Sequence, residues 1–261
     1  MTDTSIIDLL EIEADIVCAA KLAGACILSF YGQKNAFTTK KDGSPLTQAD
    51  RASHEVIVKS LSGFYFPIVS EEAREPAAVG ACYWLVDPLD GTKDFLANNH
   101  EFTVNIALVK NAEPVMGVIY APALDEIYFG VVGANVWRER KGVRVQCLNS
   151  PKSNGLRMAK SRFHDHPDAT SFARKNHVST SQPIGAALKY GRLVMGEIDV
   201  YPRFLGTSEW DTAAGQAILS AAGGALVDLE TRKPVSYGKP NRRNGKFLAF
   251  RAPYQMSDFS I

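Results

Sequence analysis

Five short β-rich runs between Phe66 and Val132 constrain the fold more than any other feature of the chain. They are Phe66-Pro67-Ile68-Val69, Tyr83 to Val86, Phe102 to Val109, Val115 to Tyr120 and Ile127 to Val132. Asn111-Ala112-Glu113-Pro114 and Pro122-Ala123-Leu124-Asp125 separate three of them at hairpin distances, which predicts an antiparallel sheet. Helical periodicity precedes the sheet. Leu9, Ile12, Ile16, Ala20, Ala23, Ile27 and Phe30 step by three or four, giving one long helix capped at Asp3 or Thr4 and stopped by Gly32. A second helix is predicted over Gln48 to Leu61, with Ala52, Val56 and Leu61 inward. Helices laid beside an antiparallel sheet make an α+β layer.

Beyond Ser153 the pattern changes to alternating strands and helices. A strand is predicted over Arg157 to Ser161, a helix over Ile184 to Met195, and another over Thr212 to Ala222, ended by Gly223-Gly224. Ala225 to Asp228 and Phe247 to Phe250 read as closing strands. Polar residues, Pro151 and Gly155 cluster near Asn149 to Asn154, so the chain divides into halves 1–152 and 153–261. A length of 261 residues fits that division, at roughly 150 residues per domain.

Composition removes several classes of function. Lys and Arg number 29 against 28 Asp and Glu, a net charge of +1, which leaves no electrostatic footprint for a nucleic-acid polymer. No apolar run reaches the ~18–20 residues that span a bilayer, and the acidic start lacks the basic region of a secretory signal. The expected location is the cytoplasm, with at most a peripheral association with the inner membrane. The cysteines Cys18, Cys26, Cys82 and Cys147 form no C-x-x-C pair and are expected to be reduced and mostly buried. The histidines show no zinc spacing.

The chemistry is carried by three acidic segments, each placed where an apolar strand ends. They are Val69-Ser70-Glu71-Glu72, Trp84-Leu85-Val86-Asp87-Pro88-Leu89-Asp90-Gly91-Thr92 and Trp210-Asp211-Thr212-Ala213-Ala214-Gly215. A carboxylate just past a buried strand is fixed by the core yet faces a cleft. Pro88 helps turn the chain, so Asp87, Asp90 and the Leu89 carbonyl converge. All-oxygen ligands of this kind suit Mg²⁺ or Mn²⁺. Taken singly, Asp90-Gly91 is an ordinary turn, Asp211 an ordinary N-cap and Glu71-Glu72 a solvated pair. Their joint occurrence favours a metal site.

These segments resemble the signatures of the inositol monophosphatase superfamily. Three further stretches are similar to its bacterial CysQ branch of 3′(2′),5′-bisphosphate nucleotidases. They are Ser44-Pro45-Leu46-Thr47-Gln48-Ala49-Asp50, Leu85 to Asp94 continuing through Glu101 to Leu108, and Tyr201-Pro202-Arg203-Phe204. The resemblance implies a layered αβαβα sandwich, with an N-terminal antiparallel-sheet half and a C-terminal α/β half. It implies that the first half holds most metal ligands, and the second holds the substrate contacts and the last ligand.

Residue by residue, the resemblance makes Glu71, Asp87, the Leu89 carbonyl, Asp90 and Asp211 the ligands of two or three Mg²⁺, with Mn²⁺ as a substitute. Asp50 and Thr92, with Glu71, match the catalytic set that orients and activates water. Gly91 and Thr92, opening a helix, match the donors that receive phosphate, a role free N–H groups at a helix start can fill. Lys189, Arg203 and His164 match substrate contacts, and Lys40 matches a lysine on a mobile loop. Ala186 and Ala187 depart from the family, which has serines there. The implied activity is lithium-sensitive hydrolysis of the 3′-phosphate of adenosine 3′,5′-bisphosphate, with an inositol or sugar phosphatase as the alternative. The implied partner is a small phosphate monoester, without integral membrane contact; monomer and homodimer both stay open. A haloacid-dehalogenase mechanism needs D-x-D, whereas Asp87 and Asp90 are three apart, and no P-loop motif is present.

Overall fold

The computed structural model describes residues 6–33, 37–39, 45–73, 79–147, 150–163 and 166–261. Its helices are α1 (Ile6–Glu11), α2 (Glu13–Leu28), α3 (Gln48–Leu61), α4 (Thr92–Leu96), α5 (Pro167–Lys175), α6 (Leu188–Val194) and α7 (Ala213–Ala221). A small ribbon pairs β1 (Phe37–Thr39) with β2 (Pro45–Thr47). A seven-stranded sheet runs in chain order through β3 (Ile68–Ser70), β4 (Cys82–Asp90), β5 (Thr103–Lys110), β6 (Glu113–Ala121), β7 (Glu126–Val131), β8 (Val136–Arg140) and β9 (Val143–Gln146). The second half contributes β10 (Leu156–Ser161), β11 (Val178–Ile184), β12 (Val200–Arg203), β13 (Thr207–Ser208), β14 (Ala225–Asp228), β15 (Arg243–Asn244) and β16 (Phe247–Phe250). Five of these form a sheet in the order β11-β10-β12-β16-β14, and β13 pairs with β15 in a separate two-stranded ribbon.

Strand periodicity sorts the core into layers, because successive side chains point to opposite faces. Trp84, Val86, Ile106, Leu108 and Val118 pack against Ile16, Ala20 and Ala23 of α2 and Ile57 and Leu61 of α3. Their neighbours Tyr83, Leu85, Ala107 and Ile119 face the other way, onto Leu188 and Tyr190 of α6 and Ala214 and Ile218 of α7. That same cluster continues through Leu226, Phe247 and Ala249 of the five-stranded sheet. The far face of this sheet, with Met158, Val200 and Leu248, packs on Ala169 and Phe172 of α5. The result is a layered αβαβα sandwich. Two glycines let α7 lie close to the larger sheet: a Cβ on Gly117 would stand 2.4 Å from the Ala214 carbonyl oxygen, and one on Gly130 would stand 2.9 Å from Ile218 Cα.

Several expectations are corrected. The first helix is two helices broken at Ile12, and Ser29 rather than Gly32 forms the C-cap. In α3 the buried line is Ala49, Asp50, Ser53, Ile57 and Leu61, leaving Ala52 and Val56 on its flank. The seven-stranded sheet is not wholly antiparallel, because β3 runs parallel to β4. The helix predicted from Ile184 starts only at Leu188; Val178–Ile184 is instead a strand paired with β10. Pro183 and the left-handed Ala186 (φ 45°) keep that stretch out of a helix. The four cysteines are free, but only Cys147 is buried, while Cys18 is exposed.

Candidate active site

A cleft of about 380 Å³ opens where the ends of β3 and β4 meet the starts of α4, α6 and α7. Parallel pairing of β3 with β4 puts Ser70 opposite Val86, so the residues that follow, Glu71 and Asp87, emerge at the same edge. The Glu71 N–H donates to the Val86 carbonyl (3.1 Å), tying the two strand ends together. The pairing of β4 with β5 then shifts register between Asp87 and Asp90. This bulge re-aims the strand end, as bulges do beside functional sites. Leu89 N donates to Asp87 Oδ1 (3.1 Å), and Ser53 of α3 donates to the Pro88 carbonyl (2.8 Å), fixing the turn from both sides. Gly91, left-handed at φ 84°, ends the strand and starts α4, a conformation that favours glycine.

Glu71, Asp87, Leu89, Asp90, Gly91, Thr92 and Asp211 all line the cleft. Asp50 stands behind them, 1% exposed. Its Oδ2 accepts from the Thr47 N–H (2.7 Å) and hydroxyl (2.6 Å), in a capping box that starts α3. Its Oδ1 accepts from the Thr92 hydroxyl (3.3 Å), for which the Leu89 carbonyl is a second acceptor (3.4 Å). Asp211 does not cap α7: the N-cap is Thr212, and Asp211 Oδ2 instead accepts from the Ser208 N–H (2.8 Å). Its carboxylate is therefore held toward the cleft by the loop before the helix.

Burial raises the Asp90 carboxyl above its ordinary range; Lys189 and the Asn105 amide pull it back, and Glu71 adds repulsion. Burial likewise raises Asp211, followed by repulsion from Asp90 and Glu71. Carboxylates forced together in this way hold protons tightly unless a cation replaces them. Among the described residues, no three His, Cys, Asp or Glu side chains are already drawn into a compact coordination group. The fit to a divalent ion lies in the donors: several hard carboxylate oxygens and a turn carbonyl, sharing one cleft and repelling each other.

The cationic side of the cleft comes mostly from the second half. Lys189 is 6% exposed rather than on a solvated helix face, and donates to the Ile184 (3.0 Å) and Ala186 (2.6 Å) carbonyls. Arg203 lines the cleft and donates from Nε to the Leu205 carbonyl (3.2 Å). His164 and Lys40 lie outside the described residues. Lys93, Arg162, Phe163 and Arg243 also line the cleft and were missed from the sequence. Arg162 follows the end of β10, so the strand-end rule that found the carboxylates could have found it. Its guanidinium donates to Glu101 Oε2 (2.5 Å), which also accepts from the Gly185 N–H (2.7 Å). Arg243 lies in an irregular polar stretch with no comparable signal.

The family model described as the inositol monophosphatase family matches residues 8–247. The 3′(2′),5′-bisphosphate nucleotidase CysQ of Salmonella typhimurium is 41% identical over 220 residues, covering 81% of this chain and 88% of the relative. That of Escherichia coli K12 is 39% identical over 233 residues, covering 85% and 93%. Among solved structures, CysQ from Bacteroides thetaiotaomicron, a bacterial member of the inositol monophosphatase family, superposes with a TM-score of 0.81 at 36% identity. It covers 92% of this chain and 97% of its own. The extragenic suppressor protein suhB of Bartonella henselae gives 0.76 at 25% identity, covering 93% and 94%.

Proposed function

Because the chain belongs to the inositol monophosphatase family, we propose that its cleft hydrolyses the 3′-phosphate of adenosine 3′,5′-bisphosphate, making it a 3′(2′),5′-bisphosphate nucleotidase. The observation that carries this reading is the convergence of Glu71, Asp87, Asp90 and Asp211 on one cleft that also holds Lys189 and Arg203. The carboxylates suit cations, and the two basic groups suit a second phosphate. Water and the bisphosphate give AMP and inorganic phosphate.

Glu71, Asp87, Asp90, Asp211 and the Leu89 carbonyl would hold two or three Mg²⁺, and Mn²⁺ would substitute. When bound, the ions neutralise the phosphate dianion, acidify water and offset charge on the departing 3′-oxygen. Thr92 and Asp50 orient the nucleophile. The Asp50 carboxylate, fixed by Thr47, accepts the Thr92 proton, so the Thr92 oxygen keeps a lone pair for a water proton. Thr92 thus aims the water and passes its proton toward Asp50. The Gly91 and Thr92 backbone receives the scissile phosphate. Lys189 and Arg203 meet the 5′-phosphate, a charge-assisted contact that an inositol monophosphate cannot make. Residues 1–152 therefore supply most of the cation site, and residues 153–261 supply the substrate contacts and Asp211.

Among the described residues no helix is long and apolar enough to cross a membrane, and we assign the enzyme to the cytoplasm. Phosphate release from adenosine 3′,5′-bisphosphate and from inositol 1-phosphate, each with Mg²⁺, tests the assignment. A higher kcat/KM for the bisphosphate supports it, and a preference for inositol 1-phosphate overturns it.

A further inference from the structure

Asp211 is the one proposed ligand that comes from the second half of the chain, and its loop has an unusual support. Strand β13 pairs antiparallel with β15, Thr207 opposite Asn244 and Ser208 opposite Arg243. A ribbon of two residues per strand has little ladder of its own. Asn244, 5% exposed, supplies what the ladder lacks. Its Nδ2 lies 2.8 Å from Thr212 Oγ1, 3.1 Å from the Ser208 carbonyl and 3.3 Å from Thr207 Oγ1. Lys239 Nζ donates to its Oδ1 (3.0 Å), and an ammonium can only donate, so this contact fixes which way the amide faces.

These contacts bracket Asp211. The Ser208 N–H holds Asp211 Oδ2 (2.8 Å), while the carbonyl of the same Ser208 is held by Asn244. On the other side Thr212, the next residue, accepts from Asn244 and from Tyr237 (3.1 Å). Its hydroxyl donates to the Glu209 carbonyl (3.1 Å). Glu209 N in turn donates to the Arg242 carbonyl (2.9 Å). The segment 237–244 therefore clasps 207–212, and it grips the chain on both sides of Asp211.

We propose that Asn244 is a positioning residue that sets the direction of the Asp211 carboxylate through Ser208 and Thr212. The proposal rests on the reading of Asp211 as a ligand to the divalent ion. Outer groups that orient ligands change cation affinity when removed, whereas a purely structural staple changes stability alone.

The test is Mn²⁺ binding to the substrate-free protein, read as loss of the free-Mn²⁺ electron paramagnetic resonance signal, with Tm measured in parallel. Asp211→Asn should lose the tightest binding; unchanged binding there would remove the premise and the proposal with it. Asn244→Ala should weaken Mn²⁺ binding by roughly tenfold. Lys239→Met, a half-exposed change that frees the Asn244 amide to turn, should weaken it in the same direction by less. Arg157→Ala, which breaks a pair with Asp199 away from the cleft, should lower Tm but keep Mn²⁺ affinity within about a factor of two. Native Mn²⁺ affinity in Asn244→Ala overturns the proposal, as does native affinity in Lys239→Met if the alanine variant does not fold. Equal weakening in Arg157→Ala at the same loss of Tm also overturns it, because it would make the effect one of stability.

Discussion

Lys189 carries a conflict that makes it testable. Burial lowers its ammonium to about 8, with Asp90 pulling it back up and Arg203 pushing it further down. A base whose folded value lies below its ordinary ~10.4 binds fewer protons folded than unfolded. The cost of the buried charge is therefore fully present below about pH 8, and it is relieved as pH rises from there toward ~10.4. Binding a second phosphate makes the opposite demand, since it needs the charge. KM for adenosine 3′,5′-bisphosphate should thus rise above about pH 8, and Lys189→Met should flatten that rise. Inositol 1-phosphate, with no second phosphate, should show no such limb. A bisphosphate KM that stays level over this range would contradict the assignment. Arg203→Ala is the cleaner deletion, because Lys189 ties down two carbonyls, of Ile184 and Ala186, at 6% exposure, whereas Arg203 is less buried and ties down that of Leu205. It should raise the bisphosphate KM by a factor equivalent to roughly 1.5–3 kcal/mol and spare the monophosphate. Equal losses on both substrates would mean that Arg203 supports the fold or the cation site instead.

Elements place these side chains by two devices, the parallel strand pair and the close seat of α7. Gly117→Ala tests the second. The added methyl would meet the Ala214 backbone at 2.4–3.0 Å and push α7, with Asp211 at its approach, off the sheet. Overpacking of this kind costs about 1–3 kcal/mol, so Tm should fall by several degrees and the Mg²⁺ needed for half-maximal rate should rise. An unchanged Mg²⁺ requirement beside a lowered Tm would detach the seat of α7 from the site. Glu71, Asp87 and Asp90 were legible in the sequence because they lie at the ends of apolar strands, and the hairpin spacers made β5, β6 and β7 legible too; Asp211 breaks that rule, since the strand before it is the short polar β13. What it hid has physical reasons. Strand β11 carries Ser, Thr and Gln on a largely exposed edge, so it lacks an apolar alternation. The β3–β4 pair is parallel, and its partners are joined by residues 71–81, too long a connection for the hairpin spacing that reveals antiparallel neighbours. The Asn244 contacts to Ser208 and Thr212 join residues more than thirty positions apart, beyond any local pattern.

At the scale of the molecule, the cleft sits where one sheet's strand ends meet the helices between the two sheets, so a cation there bridges layers as well as side chains. Burial and mutual repulsion raise Asp90 and Asp211. Raised acids keep protons in the fold that the unfolded chain has released, so metal-free stability falls as pH climbs from ~3.9 through the raised values. Mg²⁺ needs the ionised carboxylates and binds only the folded chain, so its stabilisation grows over the same window. Thermal scans should therefore show a larger Mg²⁺-induced rise in Tm near about pH 8 than near about pH 5. A larger rise at the acid end would contradict the cation site. The most direct measurement is phosphate release from adenosine 3′,5′-bisphosphate by the native chain and by Asp90→Asn across a Mg²⁺ titration. The substitution keeps the side chain's shape and the fold but removes charge at the centre of the cleft. Turnover should be lost at every Mg²⁺ concentration while the variant stays folded; a near-native rate at low Mg²⁺ would contradict the account.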